Sequence, residues 1–106
     1  MEFTGDIIPL RSRGLLEDTV KKFNVRYDAE SRTLRFPYYD TSGQLVAFKT
    51  KTADKDIRWV GKNADHALFG QQLFGGAKGN NKTIVITEGE EDAMSVWQAR
   101  PNWPVV

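Results

Sequence analysis

Five consecutive residues near the end of the chain, 83–87, read Thr-Ile-Val-Ile-Thr. An uninterrupted β-branched run of this length is typical of a strand that is covered on both faces in a parallel sheet. Glu88 and Gly89 follow directly, and acidic residues 90–92 begin a stretch with apolar side chains at helical spacing that ends before a proline. The pattern predicts a strand, a tight turn and a helix. Residues 103–106 predict the approach to a second strand.

Upstream of this unit, short β-favouring stretches alternate with turn signals. Four stretches are rich in aromatic and β-branched residues and predict strands: 25–27, 34–39, 44–52 and 57–60. The turn residues 40–43 join the second and third stretches, so we expect an antiparallel sheet of three or four strands. Pro37 predicts that its strand lies at an edge or carries a bulge, because proline has no N–H for the ladder. Apolar spacing over 15–23 predicts a short amphipathic helix that lies on the sheet.

These patterns predict an α+β fold, in which a small antiparallel sheet with a helix precedes the first β-α unit of an α/β domain. They divide the chain into four parts: an N-terminal arm over 1–12, a subdomain over 13–74, a flexible joint over 75–81, and the start of a second subdomain over 82–106. The joint is predicted because its seven residues contain three glycines and two asparagines. Leu68 and Phe69 precede it, and we expect them to plug the seam between the subdomains.

Composition excludes several kinds of function. The 15 Lys and Arg residues nearly balance the 14 Asp and Glu residues, so net charge gives no argument for a nucleic-acid partner. The chain has no cysteine and one histidine, His66, which makes a disulfide framework or a zinc site improbable. No apolar run approaches the roughly 20 residues that span a bilayer. We therefore expect an intracellular, cytoplasmic protein.

Glu88 is the first candidate for a functional residue. It directly follows the predicted strand, at the carboxyl end where open α/β sheets place their ligand sites. A carboxylate in this position can hold Mg²⁺ or act as a base. Glu90, Glu91 and Asp92 lie in the first helical turn, where favourable interaction with the helix dipole is an equally good explanation of their charge.

Basic residues form the second candidate site. Five of them surround two aromatic residues, Phe48 and Trp59, in the hairpin region: Lys49, Lys51, Lys55, Arg58 and Lys62. A positive, partly aromatic face suits the phosphates and bases of a single nucleic-acid strand. Lysines also protect an exposed strand from aggregation, and both explanations remain open. The two aromatic residues are more typical of a core than of a stacking surface.

Three segments resemble a known family. Residues 84–96, which read Ile-Val-Ile-Thr-Glu-Gly-Glu-Glu-Asp-Ala-Met-Ser-Val, resemble the first motif of the Toprim domain in its phage primase-helicase and mitochondrial helicase form. Residues 65–70 resemble the segment that those proteins carry before their Toprim strand, and residues 13–15 resemble the start of their polymerase domain. The chain thus resembles the front part of a Toprim-type RNA polymerase domain of a phage-type DNA primase-helicase.

This resemblance implies a DNA primase, a nucleotidyltransferase that makes RNA primers on single-stranded DNA from ribonucleoside triphosphates. Glu88 matches the family's invariant glutamate, a metal-linked acid or base, and Asp92 matches a further acidic position. Lys49, Lys51 and Lys55 fall where the family has residues that contact nucleotide and template.

The family's second motif, an Asp-x-Asp pair on the next strand, has no counterpart up to Val106. We therefore expect Mg²⁺ to bind only with carboxylates that follow this segment, and the fragment alone to be inactive. A zinc-binding domain and a helicase domain are expected elsewhere in the same parent chain. Two alternatives remain: a degenerate primase domain that only binds single-stranded DNA, and another Toprim enzyme, such as a nuclease or topoisomerase.

Overall fold

The computed structural model describes residues 2–62, 67–73, 85–101, 103 and 105–106. Its helices and strands follow in the order α1 (Glu17–Phe23), β1 (Arg26–Asp28), β2 (Thr33–Tyr39), β3 (Leu45–Lys51), β4 (Ile57–Gly61) and α2 (Glu90–Ala99). Single 3-10 turns occur at Arg11–Arg13 and Gln71–Leu73. The predicted α+β fold with a small antiparallel sheet is confirmed.

The sheet has the strand order β1-β2-β3-β4, and every neighbouring pair is antiparallel. The β2–β3 turn depends on Asp40, whose carboxylate accepts hydrogen bonds from the backbone N–H groups of Ser42 and Gln44, both at 2.9 Å. Pro37 lies opposite Phe48 in an interior strand, so the prediction of an edge strand is wrong. The alternative of a bulge is confirmed, because the register shifts directly after Tyr38.

The described N-terminal residues pack against the sheet. Asp6 and Tyr27 exchange two backbone hydrogen bonds of 2.8 Å, which extends the edge of the sheet beside β1. Leu10 pairs with Leu15 and is 8% exposed. Backbone pairing and an apolar side chain thus hold the described part of the predicted arm against the sheet, and the division of the chain at residue 12 stays a prediction.

Helix α1 ends at Phe23, as the spacing predicted, and Asn24 caps it in the left-handed conformation at φ 58°. The helix packs against α2 as well as the sheet. The Gln98 side chain of α2 accepts hydrogen bonds from the Leu16 N–H and the Thr19 hydroxyl, both at 2.7 Å. This contact connects the two ends of the chain.

Phe69 lies in the core between α1 and β2. Its ring stacks on Phe23 at 5.4 Å and meets Phe36 edge-on at 6.0 Å. Next to it, Gly70 has φ +85°, and a Cβ there would lie 3.0 Å from the Phe23 ring and 3.3 Å from the Val105 carbonyl oxygen. The segment therefore packs Phe69 into the core beside α1 and the sheet, and its expected place between two subdomains stays a prediction. Leu68 instead is 53% exposed.

Residues on either side of α2 form a parallel pair. Val85 and Val105 make a parallel bridge, in which the Val106 N–H donates to the Val85 carbonyl at 3.0 Å. The Thr87 N–H donates to the Val106 carbonyl at 2.9 Å. A β-α-β crossover thus follows the antiparallel sheet, and the predicted approach to a second strand is confirmed at Val105.

Part of the predicted strand over 83–87 lies outside the described residues, as does the whole of the predicted joint over 75–81. Ile86 is 75% exposed, so the described part of the strand is not covered on both faces. Of the helices in the described residues, none combines the length and the apolar character needed to cross a membrane.

Candidate active site

Glu88 lies between the parallel pair and the start of α2, as predicted. Its side chain is exposed and lines a cavity of about 310 Å³. Other walls of this cavity come from the antiparallel sheet and from the segments around Phe69 and Thr87, and they include Tyr38, Lys49, Trp59, Leu68, Ile86 and Glu90. Glu88 therefore reaches solvent in a concave site where both parts of the chain meet.

Gly89 has an extended conformation, φ −129° and ψ 156°, which other residues also adopt. The turn therefore does not require glycine's conformational freedom. A Cβ on Gly89 would lie 3.4 Å from Asp92 Oδ2, so the small residue leaves room for that carboxylate. Asp92 is exposed in the first turn of α2 and, unlike Glu88, does not line the cavity.

Glu90 is buried, and it connects α2 to the sheet. Its Oε2 accepts hydrogen bonds from the Tyr38 hydroxyl of β2 and, at 2.7 Å, from the Lys49 ammonium of β3. The same ammonium lies 5.5 Å from the centre of the Trp59 ring of β4. One carboxylate thereby fixes side chains from two strands at the wall of the Glu88 cavity.

The ionisation of this cluster follows from its contacts. Burial raises the pKa of Glu90, but the hydrogen bonds from Lys49 and Tyr38 outweigh burial and hold the pKa below its ordinary value. Burial, followed by the hydrogen bond to Glu90 and its negative charge, raises the pKa of Tyr38 far above its ordinary value of 10.0. Glu90 is therefore a carboxylate and Tyr38 a neutral hydroxyl at neutral pH.

Glu91 makes a second connection of the same kind. Its carboxylate lies 3.2 Å from the Lys51 ammonium and 3.4 Å from Arg13 Nε. The helix dipole alone therefore does not account for Glu90 and Glu91, since both bind cations of other elements. Lys49 and Lys51, predicted to contact nucleic acid, have intramolecular carboxylate partners, and their role toward nucleic acid stays a prediction.

A second cavity, of about 480 Å³, has a strongly basic lining. Lys51 and Lys55, both predicted as binding residues, lie here. Two arginines that were not predicted as binding residues, Arg13 and Arg32, join them. Glu91 is the carboxylate among the lining residues, so four cations face one anion. The site suits a polyanion, because focused positive potential raises the local concentration of negative ligands.

The other predicted binding residues lie on exposed surface. Arg58 is paired at 3.2 Å with Asp56, and both side chains are largely exposed. Lys62 is also exposed. The two aromatic residues separate: Phe48 is 4% exposed in the core, as expected, whereas Trp59 is 48% exposed and the expectation of a core position is wrong for it.

Two oxygen donors for a divalent cation are available at the turn, Glu88 and Asp92. Within the described residues, no three His, Cys, Asp or Glu side chains come together as a metal-binding group. His66 lies outside those residues. Carboxylates are the hard ligands that Mg²⁺ prefers, and the expectation that Glu88 and Asp92 bind it together with further carboxylates stays a prediction.

Replacing Glu90 by glutamine should make the unfolding free energy depend less on pH in the acidic range. The folded-state pKa of Glu90 is lowered, so its charge contributes stability that is present above about pH 4.5 and is lost as the pH falls through the folded-state pKa. Glutamine has no such proton to take up. We expect the unfolding free energy of Glu90→Gln, measured by urea titration at a series of pH values, to fall less steeply in acid than that of the wild type.

Asp92→Asn is the matched control, because it neutralises an exposed carboxylate in the same helical turn. It should keep the acid dependence of the wild type. Equal acid slopes for Glu90→Gln and the wild type would show that the contacts of Glu90 with Tyr38 and Lys49 do not persist in solution.

Comparison with known proteins supports the resemblance found in the sequence. The chain is 32% identical over 105 residues to the DNA helicase/primase of Enterobacteria phage T3. Its fold matches the crystal structure of the primase fragment of the bacteriophage T7 primase-helicase, with a TM-score of 0.79 and 28% identity. A structure of the bacteriophage T7 lagging-strand DNA polymerase, interacting with primase domains bound to an RNA/DNA hybrid and dTTP, matches with a TM-score of 0.81 and 30% identity. No protein-family model matches the chain.

These matches cover nearly all of this chain and a smaller share of the relatives. They include 96% of this chain but 18% of the phage T3 protein. For the two structures they include 95% of this chain and 41% or 45% of the matched chain. In sequence and fold, the chain is similar to part of the primase fragment of a phage primase-helicase.

Proposed function

We propose that this chain is the front part of a DNA primase domain, and that its parent protein makes RNA primers on single-stranded DNA during replication. The parent would be a bifunctional primase-helicase acting in the cytoplasm of an infected bacterial cell, with a zinc-binding domain and a helicase domain in the same chain. The observation that carries this proposal is the position of Glu88. It follows a parallel-paired segment, precedes α2 and opens into a cavity that the antiparallel sheet also lines.

Glu88 would serve as the metal-linked acid or base of nucleotidyl transfer, and Asp92 as a further ligand. Both are exposed carboxylates, which suit the hard Mg²⁺ ion. A bound Mg²⁺ would neutralise negative charge that develops on the phosphates. Glu90 would keep the Lys49 ammonium at the cavity wall, because its buried carboxylate already binds that group.

The basic cavity would hold phosphates of the template or of the nucleotide. Arg13, Arg32, Lys51 and Lys55 line it, and Glu91 fixes two of these side chains by ion pairs. Arg58 and Lys62 would extend the positive surface. Phosphate contacts of this kind supply affinity without sequence preference, because they depend on counterion release. The matched phage T7 structure whose primase domains are bound to an RNA/DNA hybrid and dTTP agrees with such partners.

Primer synthesis by the parent protein tests the proposal directly. Purified parent protein, single-stranded DNA, ribonucleoside triphosphates and Mg²⁺ should yield short labelled RNA that depends on template and disappears when EDTA removes the metal. Binding of single-stranded DNA without RNA synthesis would replace this proposal by the degenerate primase, for which the basic cavity is the favouring observation. Cleavage of DNA instead of synthesis would indicate another Toprim enzyme.

A further inference from the structure

Trp59 is unusually placed for a tryptophan. It lies in β4, opposite Lys49, and its side chain is 48% exposed where it lines the Glu88 cavity. Two other large apolar side chains of the same cavity are also exposed, Leu68 by 53% and Ile86 by 75%. The cavity thus combines an apolar wall with the carboxylate of Glu88, the composition typical of a small-molecule site.

The Trp59 ring has a fixed orientation. The Tyr38 ring meets it at 5.0 Å with an interplanar angle of 60°, and the Lys49 ammonium lies 5.5 Å from its centre. Both partners bind Glu90 through their polar ends. A ring that its neighbours already hold loses little conformational freedom when a ligand contacts it, so binding costs less entropy.

The charges at the cavity favour a flat apolar ligand over a bare phosphate. Glu88 and Glu90 supply two carboxylates, against the one ammonium of Lys49. Without a bound cation, a phosphate approaching this wall would meet an excess of negative charge, whereas the basic cavity offers the opposite. The Trp59 ring offers a nucleotide an aromatic face. Any base can stack on such a face, so the contact does not depend on base identity.

We propose that Trp59 is the stacking surface for a nucleobase in the Glu88 cavity. This inference rests on the proposed function and specifies which part of the substrate occupies the apolar wall. The base belongs either to the incoming ribonucleotide or to the template strand. Both sources present the same aromatic face, and separate ligands distinguish them.

Tryptophan fluorescence provides the first test, because Trp103 supplies a matched control. Trp103 is 47% exposed and also lies beside a cation, Arg100 at 5.8 Å, but it does not line the cavity. GTP or oligodeoxythymidylate should quench the wild type and Trp103→Phe, and quenching should vanish in Trp59→Phe. Inorganic tripolyphosphate, which has no base, should leave the fluorescence unchanged.

The second test measures binding affinity. The ligand that quenches the tryptophan fluorescence, GTP or oligodeoxythymidylate, is labelled, and its fluorescence anisotropy is followed as protein is added. Base stacking on an aromatic side chain contributes about 1–3 kcal/mol, so Trp59→Leu should weaken binding about 5- to 150-fold. Trp59→Phe should retain most of the affinity, since it keeps an aromatic face, and Trp103→Leu should bind as the wild type does. In the parent protein, Trp59→Leu should raise KM for nucleotide, or for template, with a smaller change in kcat.

Wild-type affinity in Trp59→Leu, or equal quenching by tripolyphosphate, would overturn the inference. Neither measurement requires catalysis. If the parent makes no primers while quenching and the loss of affinity occur as expected, the proposed function fails and the stacking surface stands. If primers are made while Trp59→Leu binds normally, the inference fails and the function stands.

Discussion

Glu88→Gln should lower primer synthesis by the parent protein at least about 100-fold, because acid or base catalysis by one side chain contributes about 10² to 10⁴ in rate. Glutamine keeps the volume of glutamate but removes the charge, and with it metal binding and proton transfer. The side chain is exposed, so its replacement should change the unfolding free energy by less than about 0.5 kcal/mol. Incorporation of labelled ribonucleotide measures activity, and thermal unfolding measures stability.

Glu17→Gln is the control for this substitution. Glu17 is also an exposed carboxylate, but it lies in the first turn of α1 and does not line the Glu88 cavity. Its replacement should leave primer synthesis unchanged. A Glu88→Gln protein that polymerises at the wild-type rate would contradict the catalytic role of Glu88.

Local features of the fold could be predicted from the sequence because neighbouring residues determine them. The end of α1 at Phe23 and the hairpin turn at Asp40 follow from apolar spacing and from side-chain bonds that span a few residues. Pro37 shows the limit of such rules. Its lack of an N–H predicts a defect in the ladder, which is found as a bulge, but not whether a further strand covers its edge.

The site depended on contacts that no local pattern reveals. Glu90 binds Lys49 across 41 positions, so its burial could not be distinguished from an ordinary acidic first turn. Arg13 lines the basic cavity and forms an ion pair there with Glu91, which is far from it in the sequence. Trp59 has the hydropathy of a core residue, and its exposure follows from the position of β4 at the sheet edge. In contrast, the position of Glu88 could be predicted from the order of strand, turn and helix alone.

Phe69→Ala should destabilise the fold more than any other substitution considered for this chain. Phe69 is 6% exposed, and its ring contacts Phe23, Phe36 and Tyr38 at centroid distances of 5.4, 6.0 and 5.8 Å. Truncation of a buried phenylalanine costs about 3–5 kcal/mol, from lost burial and from the cavity left behind. Domains have unfolding free energies of about 5–15 kcal/mol, so the loss is a large fraction of the total. Urea unfolding followed by circular dichroism measures it.

Leu68→Ala removes a large apolar side chain from the adjacent position, where 53% of the side chain is exposed. Its cost should stay below about 1 kcal/mol, because most single changes away from the core are small. The comparison separates two explanations of the Phe69 segment. If the segment is a surface loop, both substitutions cost little, whereas if it fills the seam between α1, the sheet and Val105, Phe69→Ala alone is severe. Tyr38 contacts Phe69 and also donates a hydrogen bond to Glu90. A large loss of stability in Phe69→Ala should therefore be accompanied by a shift of Tyr38, which lines the Glu88 cavity.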